Sequence, residues 1–189
     1  MRRILPFFLS LILLIAPLSA FAEEATFQAL DAFVQSALDR DAELLYKKND
    51  EQGYYLIVFE ADDNRLGDIY AYIDIYSSGL LIQACYEDDL PMDNMDEIVK
   101  FMNLLNADQL GGKYYIYNET GTVFYEFFLF LDFLPLDSPD EAAQENLLSF
   151  LDTVVTELNF DAEYFVELIG GLSADNAYAM YLADLEHFE

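Results

Sequence analysis

Hydrophobic positions along this chain switch several times between a helical and a strand rhythm. Phe27, Leu30, Val34, Ala37 and Leu38 recur at helical spacing and predict a first helix. The stretch "AELLYKK" follows and reads either as a short strand or as a frayed continuation of that helix. After the turn "NDEQG", the segment "YYLIVFEA" is rich in β-branched and aromatic residues and predicts a strand. The polar loop "DDNRLGD" leads into "IYAYIDIY". Here Ile69, Ala71, Ile73 and Ile75 face one way, and Tyr70, Tyr72, Asp74 and Tyr76 the other. "SSG" turns this strand back into "LLIQACYE".

Pro91 and Asp93 open a second helix with an apolar stripe of Met95, Ile98, Val99, Met102 and Leu105. Asp93 suits its cap, and Asp96 and Glu97 suit the positive end of its dipole. Gly111-Gly112 then introduces a hairpin, "KYYIYNETGTVFYEFFLFLDF", with "NETG" as its loop. Ser138, Pro139 and Glu141 form a capping-box start for a long helix faced by Ala143, Leu147, Phe150, Leu151, Val154 and Leu158. After Asn159 the pattern predicts more helix, a break at Gly170-Gly171, and a last helix capped by Ser173. The order is α-β-β-β-α-β-β-α with a helical tail over 159–189. It predicts one α+β domain over 23–189 with a mostly antiparallel sheet.

The strand after the hairpin turn is apolar on both sides. Val123, Tyr125, Phe127, Leu129, Leu131 and Phe133 form one continuous face, which helices should cover. The other face sets Phe124, Phe128 and Phe130 among Thr122, Glu126 and Asp132, and it can align with Tyr70, Tyr72 and Tyr76. An aromatic patch of that size is either covered or used. In one reading the C-terminal helices fold back over it; their own apolar stripes need burial, which favours this reading. In the other, Tyr70, Tyr72, Tyr76, Phe124, Phe128 and Phe130 bind a peptide, a partner protein or a second copy of the chain.

The first residues change the compartment. Arg2 and Arg3 precede the apolar run "ILPFFLSLILLIAPL", and Ala20 and Ala22 supply an A-x-A-type cleavage site. The run is shorter than the ~20 apolar residues that span a bilayer. A signal peptide over 1–22, cleaved after Ala22, predicts export to the periplasm or the medium. The formal net charge is −28, and losing Arg2 and Arg3 with the leader makes the remainder more negative still. Such a chain is unsuited to phosphate backbones and anionic membranes, which are held by Lys and Arg. Its 54% hydrophobic content is ample for a packed core, so the acidity does not imply disorder.

Candidate chemistry is sparse. The single cysteine, Cys85, makes no internal disulfide, and its apolar setting predicts a buried, inert thiol. The single histidine, His187, stands two residues from the end, a poor place for a catalytic base. No Cys/His cluster offers a zinc site. In "DDNRLGD", Asp62 and Asn64 resemble calcium ligands, but Leu66 occupies a ligand position and no glutamate closes the loop. No phosphate-binding glycine loop is present. With 36 carboxylates, spacing alone cannot single out a hydrolytic pair. These observations predict no enzyme, no cofactor and no metal. The alternatives are a small extracellular hydrolase working through carboxylates, or a structural or cation-binding envelope protein.

One resemblance extends this reading. The stretch "MDEIVKFMNLLNADQLGGKYYIYNETGTVFYEFFL", followed by "ENLLSFLDTVV", resembles the bacterial YbjN family, whose fold is similar to that of type III secretion chaperones. The likeness covers about Thr26 to Leu158 and rests on aromatic and apolar positions, with no catalytic motif to transfer. It implies a non-enzymatic binding or chaperone-like role, with a homodimer as one form it can take. The export signal and the tail after Asn159 depart from that pattern.

Overall fold

The computed structural model describes residues 25–61, 64–108, 111–117, 119–131, 134 and 141–188. The expected leader, Asp62, Asn118 of the hairpin loop, and Ser138-Pro139 of the expected capping box lie outside the described residues, as does the side chain of His187. Helix α1, over 25–38, buries Leu30, Phe33, Val34, Ala37 and Leu38. Four strands follow: β1 (Tyr46–Asn49), β2 (Tyr54–Phe59), β3 (Ile69–Tyr76) and β4 (Gly79–Tyr86). A short 3-10 turn, Met92–Asn94, leads into α2 (Met95–Asp108). Then come β5 (Lys113–Tyr117), β6 (Thr122–Phe130), α3 (Glu141–Ile169) and α4 (Ala174–Phe188).

The α+β class follows the sequence pattern, with two refinements. "AELLYKK" yields a strand: Tyr46 pairs with Ile57 and Asn49 with Tyr54, so the sheet gains a sixth strand at its edge. The sheet order is β1-β2-β3-β4-β6-β5, and every pairing is antiparallel. The second refinement is at Asn159, where α3 runs on without a break. Asn159 faces outward and bonds the Asn64 side chain at 3.1 Å, while Leu158, Ala162, Phe165 and Leu168 keep the buried stripe in phase. The helix stops only at Gly170-Gly171. There Leu172 N–H donates to the Glu167 carbonyl and Gly171 N–H to that of Leu168, a Schellman closure with Gly171 at φ +99°.

The alternation read in β3 and β6 decides the core. Ile69, Ala71, Ile73 and Ile75 are buried on one face together with Tyr55, Ile57, Leu80, Ile82, Ala84, Val123 and Tyr125. Helices meet the sheet on this side. Tyr55 O–H donates to Asp31 of α1 at 2.7 Å, and Tyr86 O–H donates to the Leu158 carbonyl of α3 at 2.6 Å. Phe127 stacks on Phe150, ring centroids 5.1 Å apart. Phe165 of α3 sits among Tyr86, Phe101 and Tyr114. Helix α4 packs on α2 and α3. Its first N–H, from Ala174, donates to Glu97 of α2 at 2.6 Å, and Ser173, expected as the cap, contributes its carbonyl to the N–H groups of Asn176 and Ala177.

This arrangement overturns the expectation that the C-terminal helices cover the aromatic face. Helix α3 packs on the inner faces of β3, β4 and β6, and α4 packs on α2 and α3 on that same side, so both stripes find apolar cover there. The described helices thus form one layer and the sheet the other.

Candidate functional site

The open face is a grid fixed by strand register. Tyr54, Asp74, Leu81 and Phe128 share one cross-strand row. Leu56, Tyr72, Gln83, Glu126 and Lys113 make the next, and Val58, Tyr70, Cys85, Phe124 and Tyr115 a third. Tyr76 and Phe130 flank Gly79 at one end. The six residues expected there, Tyr70, Tyr72, Tyr76, Phe124, Phe128 and Phe130, therefore all lie on the face with no described helix.

They do not form one cluster. Tyr76, Phe128 and Phe130 pack together, with centroids 6.3 Å and 4.9 Å apart. Tyr72 meets Tyr54 edge-on at 5.7 Å. Phe124 stacks on Tyr115 at 5.0 Å with the rings nearly parallel. Tyr70 points its hydroxyl at Glu87, 3.4 Å away. Tyr54 and Tyr115 are the members that sequence reasoning missed. In "KYYIY" either adjacent tyrosine could face outward; the structure buries Tyr114 and half-exposes Tyr115.

A polar seam crosses the rings. Gln83 Nε2 donates to Asp74 Oδ2 at 2.6 Å, and Tyr115 O–H donates to Gln83 Oε1 at 2.8 Å. Burial raises the Asp74 carboxyl above its ordinary range, opposed by the Gln83 bond. Burial likewise raises Glu126, opposed by the charge of Lys113. Cys85 lies beneath this layer. Burial, then the charge of Asp89, pushes its thiol up to about 11, so it stays protonated near neutrality and unreactive as a nucleophile.

The helical side holds a different feature. Asp161 is fully buried; its Oδ2 accepts from Tyr114 O–H at 2.5 Å, while Oδ1 has no hydrogen-bond partner among the described residues. Burial pushes its carboxyl up to about 7; Glu157 adds to the rise and the Tyr114 bond opposes it. Glu157, one turn earlier, is also raised by burial. It lines a cavity of about 320 Å³ with Tyr125, Phe127, Phe150 and Tyr181. Gly112 closes the cavity wall: a Cβ there would fall 2.1 Å from the Tyr125 hydroxyl. Asp161 does not line this cavity, so the two raised carboxylates do not share a cleft.

Among the described residues, no group of three His, Cys, Asp or Glu side chains is placed to hold a metal ion, and no helix is long and apolar enough to cross a membrane. No protein-family model, curated protein or solved structure matches this chain.

Proposed function

We propose that this chain is an exported, non-enzymatic binding protein of chaperone-like character, which holds a protein or peptide partner on its open aromatic sheet face. One observation carries the reading. Tyr76 and Phe130 are 47% and 57% exposed, on a face whose other side takes the described helices. A solvated sheet face is ordinarily polar, so exposed rings on an uncovered face point to an interaction site. The resemblance to the YbjN family and to secretion chaperones supports a binding role, and the apolar leader supports export. The hydrolase reading finds Glu157 in a cavity, but the two-carboxylate chemistry of glycoside hydrolysis needs a second carboxyl within reach of the same substrate, and Asp161 is sealed in the core.

The test is client protection. Light scattering follows the aggregation of reduced insulin, with the protein present in equimolar amount. The parent should delay aggregation, and a variant carrying Tyr76→Ser, Phe128→Ser and Phe130→Ser should lose most of that delay while keeping its thermal midpoint. Tyr72 is spared because it is half-buried and its ring packs edge-on against Tyr54. Equal protection by parent and variant would remove the face from the mechanism. No protection by the parent would remove the chaperone-like role.

A further inference from the structure

The open face repeats one motif on two strands. On β3 the outward residues run Tyr72, Asp74, Tyr76; on β6 they run Phe124, Glu126, Phe128. Each is a carboxylate with an aromatic ring on either side, two residues away along the strand. Register sets the two carboxylates apart: β4 lies between their strands, and Glu126 lies one row from Asp74. Two inter-strand steps and one row give a separation of roughly 12 Å. Basic side chains about four residues apart on one side of an extended chain span a similar distance.

From this geometry we infer that the partner held on the open face is a basic polypeptide segment, whose arginine or lysine side chains lie over the rings with their tips at Asp74 and Glu126. The inference rests on the binding role proposed above and names the chemistry of its partner.

Charge selects this occupant over a second copy. Two copies of so acidic a chain, at a formal charge of −28 even with Arg2 and Arg3 counted, repel, and each would bring its own Asp74 and Glu126 into a shared interface. A cation meets the opposite situation. A guanidinium stacks on a ring face and donates to a carboxylate at its edge, and both groups are present twice. Asp74 and Glu126 are half-buried and raised by that burial, so an arriving cation relieves a charge that is poorly solvated in the free protein. Of the basic residues on this face, Lys47 stands on the edge strand β1, and Lys113 of β5 pairs across from Glu126 and offsets part of its charge; burial still holds both carboxyls above their ordinary range.

The experiment is fluorescence anisotropy with the whole protein and two labelled probes. One is a peptide of alternating arginine and leucine; the other has glutamate in place of arginine. The arginine peptide should bind, and added salt should weaken it. Glu126→Gln, and the pair Asp74→Asn with Glu126→Gln, should each weaken it, the pair by about tenfold. Asp152→Asn with Glu163→Gln, on the exposed side of α3, should change it little, which separates the motif from the overall negative charge. Glu126 has no side-chain hydrogen bond among those described, so its single variant keeps the test valid if the pair fails to fold. Equal loss from both pairs overturns the inference. If both peptides bind alike and both fail with Phe128→Ser, the charge preference falls while the binding face stands. If neither peptide binds, the binding face falls with it. A dimer by sedimentation that Phe130→Ser dissociates gives the face to a second copy and also overturns the inference.

Discussion

The Asp161→Asn protein is expected to be more stable than the parent near pH 8 and equal to it near pH 4. The folded carboxyl titrates at about 7, against an ordinary value of 3.8. A carboxyl raised in this way costs nothing while it is protonated in both the folded and unfolded chain. As pH climbs from 3.8 towards 7, the unfolded chain ionises freely and the folded chain resists. Stability falls across that window and then levels off. A rise of this size corresponds to a loss of about 4 kcal/mol. Asparagine has the shape of the protonated acid and carries no charge at any pH, so it escapes the loss while keeping an oxygen for Tyr114. Urea unfolding at several pH values reads the difference directly. A constant difference between the two proteins across pH would show that the Asp161 charge is not its source.

Phe165→Ala is expected to cost about 3–5 kcal/mol in the same urea assay. Phe165 is fully buried and joins three elements. Its ring meets Phe101 of α2 at 5.4 Å, Tyr114 of β5 at 5.8 Å and Tyr86 of β4 at 6.0 Å. The surrounding rings are rigid and belong to different elements, so they collapse poorly into the void left behind. A domain is typically stable by only about 5–15 kcal/mol, so this one truncation takes a large share. A loss below about 1 kcal/mol would mean that the cluster repacks around the gap. The open face lies across the sheet from this residue, so peptide binding should persist in whatever fraction stays folded.

Regular alternation made β3 and the inner face of β6 legible in the sequence, because a strand buried on one side reverses polarity at every residue. The same rule failed where neighbours are chemically alike. Tyr114 and Tyr115 are indistinguishable by type, yet one bonds Asp161 in the core and the other stacks on the outer Phe124. Strand β1 was ambiguous because its Lys47 and Lys48 suit an exposed edge or a frayed helix equally well. Phe101 was absent from the expected stripe of α2, although it is its largest buried side chain; the buried stripe runs through Ile98, Phe101, Met102 and Leu105, turned away from Met95 and Val99, which are only half-buried. At Asn159 a polar residue looked like an end, but an outward position on a continuous helix tolerates one. Which face of the sheet the tail would choose was beyond the pattern. Both faces of β6 are aromatic, and an amphipathic helix records only that it must be buried, not against what.

The long reach of α3 has a consequence for the order in which this protein is made. The antiparallel run β1 to β4 is joined by two tight turns and one nine-residue loop over 60–68, and it can assemble from neighbouring chain as it emerges. Helix α1 is made first and meets β2, but the inner face of β3 and β4 is covered by a helix that begins only at Glu141. Until that segment arrives, this part of the nascent sheet is greasy on both sides instead of one. On the binding role proposed above, a protein that holds other chains would itself pass through a stage in which it needs such cover.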